Sequence, residues 1–364
     1  MFMAVAVSAR TPWWSWTWPA LGAVIVLLHF ALGPATVLTA AEAIVLIATV
    51  FAAVYHAEVV ALRVGEPFGT LVLALAVTTI EVALIVSMMA AGGPEATGLA
   101  RDTLFAAVMI ICNGIIGVCL LAGGLRHHQQ EFQLRGANAA LSVLIALTTL
   151  TLILPNFTIT TPGPTFSRSQ LIFAAVVSLT LYASFIFVQT VRHRDFFLPE
   201  NASEQEAHAT PPSNRIALTS SALLLASLVI VVALAKTLTP PVERAIDAVG
   251  APKSAVGIII AALVLLPESL AAYRAAMANR LQTSMNLALG SVLASIGLTI
   301  PAVATISILL GMPLTLGLDP KDQVLLIVTL IVSLVTLGTG RTTVLQGTVH
   351  VILFAVFLFL AIRP

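Results

Sequence analysis

Long apolar runs separated by short polar connections follow one another along the whole chain. Each run approaches the ~20 residues that an α-helix needs to cross a bilayer, so the pattern predicts an all-α, polytopic membrane protein. We count about eleven transmembrane helices. Their predicted limits are 13–32, 35–62, 67–91, 103–123, 138–157, 169–191, 216–237, 254–275, 285–311, 322–338 and 343–362.

The longest polar segment, residues 192–215, divides this series of helices. It is rich in Pro, Glu, Ser and Asn and poor in apolar residues, a composition typical of a mobile linker. Five predicted helices lie in residues 34–191 and five in 216–364, while residues 1–33 hold an extra N-terminal helix. Because five is odd, two copies of a five-helix unit must run in opposite directions. The chain therefore fits two inverted five-helix repeats, the plan of many secondary transporters, whose site lies at the repeat interface near the midplane.

The composition leaves no room for a soluble catalytic domain. Hydrophobic residues make up 59% of the chain and charged residues 9%, whereas a soluble domain carries about 25% charged residues; the mean hydropathy is +1.04. The GxxxxGK[ST], GxGxxG, HExxH and GxSxG patterns of nucleotide-binding and hydrolytic proteins do not occur in the sequence. We therefore expect neither an enzyme nor a bound cofactor. The net charge of +1 indicates no nucleic-acid partner.

Tryptophans and basic residues predict the orientation of the chain. All four tryptophans lie within Trp13–Trp18, beside the first apolar run, where they are typical of an anchor at the level of the lipid headgroups. If the N-terminus is cytoplasmic, ten of the 17 Lys and Arg residues lie on the cytoplasmic side and seven on the other. Because basic residues concentrate in cytoplasmic loops, we predict that the N-terminus and the linker are cytoplasmic.

Two glutamates lie deep inside apolar runs. Glu81 and Glu268 are 187 residues apart, each in the second helix of a predicted repeat, with no Lys or Arg at a similar depth. A charged carboxylate at the bilayer centre costs ~2.5–3.5 kcal/mol on insertion scales, so each acid needs either a proton or a bound cation. Competition between protons and a cation for one site is the physical basis of antiport. The alternative is a protonated glutamate that only packs in the bundle; because the two positions match, we predict that the acids meet and bind a cation.

Neutral oxygens near the two acids could complete such a site. Pro267 removes a backbone N–H and is expected to kink or break its helix, which would free carbonyls around Leu263–Leu265. Each neutral candidate also has an alternative role. A hydroxyl can bond to the backbone of its own helix, and the small residues around position 291 can simply allow two helices to pack closely. The candidate metal ligands besides the acids are Thr78, Thr79, Ser269, Asn286 and Ser291.

Several polar residues lie closer to the ends of the predicted helices. Glu42, near the predicted outer surface, could guide cations or simply sit in water. His56 and Glu58, at an inner helix end, could relay protons or form an exposed helix-end cluster. Asp102 is expected to be a solvated acid at headgroup level. Packed, neutral histidines are expected at His29 and His350.

Short motifs along the chain resemble those of a known family. They are His56-Ala57-Glu58, Gly65-Glu66-Pro67-Phe68-Gly69, Ile80-Glu81-Val82, Arg101-Asp102-Thr103-Leu104, Pro267-Glu268, Met285-Asn286-Leu287, Gly290-Ser291-Val292-Leu293-Ala294, Thr299-Ile300-Pro301 and Thr339-Gly340-Arg341-Thr342. On these residues the chain resembles the calcium/cation antiporter superfamily, most closely the ChaA-type bacterial antiporters that exchange sodium, potassium or calcium for protons. The resemblance implies two inverted repeats in the bacterial inner membrane, with Glu81 and Glu268 as the acids of the ion site.

The sequence departs from this family next to both acids. The superfamily pattern Gly-Asn-Ala/Thr-Glu is replaced by Thr78-Thr79-Ile80-Glu81 and by Leu265-Leu266-Pro267-Glu268, so the Asn is missing both times. Fewer side-chain oxygens around the ion weaken the prediction of Ca²⁺ selectivity and leave Na⁺ and K⁺ open. We expect exchange of one of these cations for H⁺, with metal cations and protons as substrates and the lipid bilayer as surroundings. The alternative is a cation channel, which needs several weak sites along an open pore.

Overall fold

The computed structural model describes residues 11–65, 68–92, 97–198, 211–248, 250 and 252–363. Within these ranges, eleven helical segments are long and apolar enough to cross a membrane, which confirms the all-α prediction. One of the eleven, Leu99–His127, consists of α4, a π-helical turn and α5. The helices are α1 Trp14–Leu32, α2 Thr36–Val64, α3 Phe68–Gly92, α4 Leu99–Met109, α5 Ile116–His127, α6 Leu134–Thr148, α7 Arg168–Phe187, α8 Asn214–Ala248, α9 Ser254–Met277, α10 Leu281–Leu310, α11 Pro320–Leu337 and α12 Val344–Ile362.

Prolines leave α8 and α9 unbroken, which sequence reasoning did not foresee. The span predicted for residues 216–237 continues as α8 to Ala248, through Pro240 and Pro241. A proline ring holds φ near −65°, a helical value, so the helix can pass through it at the cost of a hydrogen bond. Likewise α9 runs through Pro267 without ending. Of the two predicted effects of Pro267, a break in the helix is therefore wrong, while a kink stays a prediction.

Irregular turns and one strand pair join the helices. Three π-helical segments follow α4, α6 and α7, at Ile110–Ile115, Thr149–Ile153 and Val188–Arg192. The strands β1 (Gln130–Glu131) and β2 (Arg341–Thr342) pair antiparallel and join the α5–α6 connection to the α11–α12 connection. The predicted linker 192–215 begins with an ordered 3₁₀ turn, Arg194–Phe197, in which Phe197 is buried. The rest of that prediction falls mainly on residues 199–210, which lie outside the described residues.

The helices form two compact units. The first contains α1, α2, α3 and α8 (unit 1), and α2 packs against the other three helices. The second contains α4 to α7 and α9 to α12 (unit 2), in which α9 lies against α4 and α10 and α12 against α5. The two units do not coincide with the predicted repeats 34–191 and 216–364. The division into repeats stays a prediction.

Glycines allow α5 and α12 to approach closely within unit 2. A Cβ built on Gly347 would overlap Leu121 N and would lie 2.7 Å from Leu121 Cα, inside van der Waals contact. One built on Gly117 would lie 2.9 Å from His350 Cβ. Small residues let helix backbones pack closely in a membrane, where lipid supplies no hydrophobic drive between helices. These glycines therefore fix the contact between α5 and α12.

Candidate ion site

Glu81 lies in the middle of α3 in unit 1. It is 1% exposed and is the one charged residue among the described positions 68–92. Thr78 is 6% exposed and precedes Glu81 by three positions, so both side chains lie on the same face of the helix. Thr78 and Glu81 therefore share one face of α3, and the part of Thr78 in ion binding stays a prediction.

Thr79 differs from its neighbour Thr78. Its side chain is exposed, and its Oγ1 donates a 2.7 Å hydrogen bond to Leu75 O, one turn back on the same helix. Such a bond satisfies the hydroxyl within its own helix. In this conformation Thr79 follows the backbone-bonded alternative, and its part in ion binding stays a prediction.

Glu268 lies within α9 of unit 2 and is half-buried, between the buried residues Pro267 and Ser269. Because Pro267 has no N–H, the carbonyl of Leu263 has no partner at the usual position in the helix. The Ser269 hydroxyl donates to Leu265 O at 2.6 Å. This stretch thus offers one carboxylate and one carbonyl released from the helix ladder, while the serine hydroxyl bonds to its own backbone.

The small residues of α10 lie level with Glu268. Residues 278–280 join α9 to α10, so positions equally far from this turn have the same depth. Glu268 lies nine residues before Met277, and Gly290 lies nine residues after Leu281. A Cβ built on Gly290 would meet open space, and its neighbour Ser291 is half-buried. These residues leave room at the depth of the carboxylate, as a passing cation would require.

Asn286 lies about 6 Å closer to that turn, given a rise of 1.5 Å per residue. Its Nδ2 donates to Phe197 O at 2.5 Å, and its Oδ1 accepts from Gln282 Nε2 at 3.0 Å. Asn286 and Gly290 line a narrow pocket between α6, α7 and α10, and Phe197 forms another part of its wall. In this conformation Asn286 is hydrogen-bonded to Phe197, at the start of the predicted linker. Its role as a metal ligand stays a prediction.

Several polar residues that were expected in water are buried instead. Glu42 is fully buried, with Oε1 2.6 Å from His29 Nδ1, so it does not sit in water and His29 is not simply packed. His56 is also fully buried, and its Nε2 bonds to Ser15 O at 3.0 Å. Helix α1 covers this face of α2, which corrects the expectation of an exposed cluster with Glu58.

Asp102 also departs from its expected state. Its carboxylate accepts a 2.7 Å bond from Arg101 Nε, and both side chains are 15% exposed. Arg101 in turn donates to Gly317 O at 3.1 Å. Asp102 is therefore a paired structural acid rather than a solvated one.

A buried cluster of polar side chains in unit 2 joins α12 to α11 and to the π-helical turn before α5. His350 Nδ1 lies 3.0 Å from Asn113 Oδ1, and His350 Nε2 lies 3.1 Å from Thr336 Oγ1. Asn113 Nδ2 donates to Thr329 Oγ1 at 2.8 Å, so its Oδ1 faces the imidazole and Nδ1 must carry the proton. All four side chains are buried. His350 is packed as predicted, and its partners reveal a network that the sequence alone did not show.

Replacing His350 by Leu is expected to destabilise the protein by about 1–3 kcal/mol, because Asn113 and Thr336 lose a buried hydrogen-bond partner. Thermal unfolding in detergent measures the effect. Val349→Ala, on the neighbouring half-exposed position, is the control. Equal melting temperatures for the two variants would contradict the importance of this network.

Within the described part of the chain, no group of three or more His, Cys, Asp or Glu residues could hold a metal ion. A cation at Glu81 or Glu268 would therefore depend on few carboxylates and on neutral oxygens. Hard cations accept such oxygen ligands, and fewer charged ligands give weaker binding.

Sequence comparisons relate the whole chain to ion transporters. The sequence profile of a family described as sodium/calcium exchanger protein matches residues 18–191 and 219–363. The chain is 50% identical over 362 residues to the putative ionic transporter y4hA of Sinorhizobium fredii, covering 98% of each protein. It is 35% identical to the sodium-potassium/proton antiporter ChaA of Escherichia coli, covering 97% of each.

Comparisons with solved structures agree on the fold. Native YfkE matches with a TM-score of 0.72 and 17% identity, over 96% of this chain and 100% of YfkE. The H⁺/Ca²⁺ exchanger CAX matches with a TM-score of 0.69 and 16% identity, over 95% of this chain and 88% of the exchanger. At these identities, the likeness is one of fold.

Proposed function

We propose a function from one premise: the chain belongs to the sodium/calcium exchanger family, whose profile matches most of the chain. It is an integral membrane protein, and its relatives are named as transporters and antiporters. On this basis the protein exchanges Ca²⁺, Na⁺ or K⁺ for H⁺ across the membrane. Glu81 and Glu268 bind the cation and protons in turn at a shared site, and Thr78 and Ser291 add oxygens.

The observation that carries this proposal is the position of the two acids. Each lies well inside a long apolar helix, and Glu81 is almost completely buried. A carboxylate at such depth needs a proton or a cation, and carboxylate oxygens accept either one. Two like charges at one site also hold a proton more tightly than a single carboxylate does. The same two groups can therefore release a cation when protons arrive.

The proposed location is the bacterial inner membrane with a cytoplasmic N-terminus. The excess of basic residues on that side supports this orientation. Two carboxylates would balance two protons against one Ca²⁺, so we propose an electroneutral cycle for Ca²⁺. A net current from reconstituted protein during Ca²⁺ exchange would contradict this stoichiometry.

The direct test is proton flux in inverted vesicles that contain the protein. Ca²⁺, Na⁺ or K⁺ is added in turn at several pH values, because a buried carboxylate takes either a proton or a cation. We expect proton movement that saturates with at least one of the cations and depends on the proton gradient. Cation flux that needs no proton on the far side would instead indicate a channel.

Asn286→Ala is expected to raise the apparent KM for the cation several-fold, with less effect on the maximal rate, if its amide oxygen helps to bind the ion. Phe197→Ala is the matched control, because it disturbs the turn that Asn286 fastens and leaves the amide in place. An unchanged KM in Asn286→Ala, or the same KM change in both variants, would assign Asn286 to packing.

A further inference from the structure

A buried carboxylate–imidazole pair joins α1 to α2 within unit 1. Glu42 Oε1 lies 2.6 Å from His29 Nδ1, and the Glu42 side chain is 0% exposed while that of His29 keeps 17%. The second carboxylate oxygen, Glu42 Oε2, is also buried and meets no hydrogen-bond partner among the described residues. The pair thus contains a carboxylate oxygen with no polar group to stabilise a negative charge.

The helices around Glu42 leave His29 as its cationic partner. Helix α1 contains no Asp, Glu, Lys or Arg, and in α3 the one charged residue at described positions is Glu81. In α8, which packs on α2, Lys236, Arg244, Arg215 and Asp247 are exposed and Glu243 is half-buried. The next titratable residues of α2 after Glu42 are Tyr55 and His56, 13 and 14 positions further on and about 20 Å along the helix axis.

The geometry suits a site that takes up and releases one proton. A proton held between Nδ1 and Oε1 leaves the pair neutral overall, whereas its loss leaves a net negative charge in an apolar environment, which is costly. The 2.6 Å separation is slightly shorter than an ordinary charge-assisted N–H···O bond. The short contact and the burial of Glu42 both suit a pair that shares one proton.

The pair also has a route to water. His29 lies in the last turn of α1, three residues before Leu32, or about 4.5 Å from the end of the helix. Its imidazole is partly exposed and has two nitrogens, so one can face water while the other contacts the carboxylate. A proton can thus pass between the Gly33–Ala35 loop side and the buried carboxylate.

We propose that His29 and Glu42 form a proton-binding site, separate from Glu81 and Glu268, that communicates with the Gly33–Ala35 side of the membrane. Its occupancy sets the pH range over which the protein exchanges ions from that side. This inference rests on the proposed exchange function. It also assigns a task to the extra N-terminal helix, which supplies His29.

The test compares His29→Gln and Glu42→Gln in the full-length protein, with Thr39→Ala, a half-buried position on the same helix, as the control. Purified protein is reconstituted in liposomes, and exchange is measured while the pH of each side is varied separately. In parallel, thermal unfolding of the same variants is followed against pH in detergent. This second measurement needs no transport activity.

Both variants should change the pH dependence of exchange and of thermal unfolding, with a several-fold change in exchange rate at one end of the pH range, because each removes one of the two groups that share the proton. The control should keep the wild-type pH dependence, and the changes in transport should follow the pH of the Gly33–Ala35 side alone.

Other outcomes separate the alternatives. If both variants melt at a lower temperature but keep the wild-type pH dependence of exchange and of unfolding, the pair is structural and the inference is wrong, although ion exchange by the wild-type protein would still support the proposed function. If the wild-type protein shows no exchange but the variants change the pH dependence of unfolding, the proposed function fails and the proton site remains. Since Glu42→Gln leaves a buried amide and can fold poorly, His29→Gln alone suffices: an unchanged pH dependence of unfolding in that variant overturns the inference.

Discussion

We expect Glu81→Gln and Glu268→Gln each to reduce cation–proton exchange by about 100-fold or more while the protein still inserts and folds. Glutamine keeps the size of the side chain but can neither carry the negative charge nor exchange a proton. Loss of one charged partner at a buried site costs about 3 kcal/mol or more, which corresponds to about 100-fold in rate. Cation-driven proton flux in vesicles measures the loss, with protein content verified by quantitative blotting.

The control for this pair of variants is Glu131→Gln, which removes a carboxylate that is 65% exposed in β1. Its exchange rate should equal that of the wild-type protein. Full activity of Glu81→Gln or of Glu268→Gln would remove that residue from the site.

We expect Gly347→Val to destabilise the protein by about 3 kcal/mol, the upper part of the range for overpacking. Even the first carbon of the new side chain would overlap Leu121 N and lie 2.7 Å from Leu121 Cα. Both are backbone atoms and cannot rotate away, so α5 and α12 must separate. Thermal unfolding in detergent measures the loss of stability.

Ala355→Val is the matched control for this substitution, because Ala355 lies on the same helix and is exposed. It should melt close to the wild-type temperature. If Gly347→Val melts as high as Ala355→Val, the close approach of α5 and α12 does not contribute to stability.

The number and positions of the helices could be predicted because the bilayer imposes them. A spanning helix needs about 20 apolar residues, and this requirement is visible without any tertiary contact. The predicted start and end of the helix at 343–362 differ from α12, Val344–Ile362, by at most one residue. The largest error is α8, predicted to end at residue 237 and observed to reach Ala248, because nothing in the local sequence shows that a helix will tolerate two successive prolines.

The acids were identifiable from sequence for the same reason, since charge in an apolar run is conspicuous. Their surroundings were not, because tertiary contacts decide them. From sequence, Thr79 and Ser269 could equally be ion ligands or hydroxyls bonded to the backbone. In the structure both hydroxyls donate to carbonyls of their own helices. Asn286 bonds to Phe197 O, 89 positions away in the sequence.

The pairing of His29 with Glu42 was within reach of sequence reasoning. Two helices joined by the three residues Gly33–Ala35 must run side by side in opposite directions. Polar residues near that connection, in otherwise apolar helices, are then expected to meet. Treating His29 and Glu42 separately concealed this, since each has a plausible isolated role.

Cadmium binding to paired cysteines tests most directly whether Glu81 and Glu268 share one ion site. Cys112 and Cys119, both buried and free, are first replaced by alanine, and cysteine is then introduced at position 81, at position 268 and at both. If the two side chains meet, the double variant should bind Cd²⁺ about 100-fold more tightly than either single variant, because two thiolates then hold one soft ion. Equal Cd²⁺ affinity in the double and single variants would contradict a shared site.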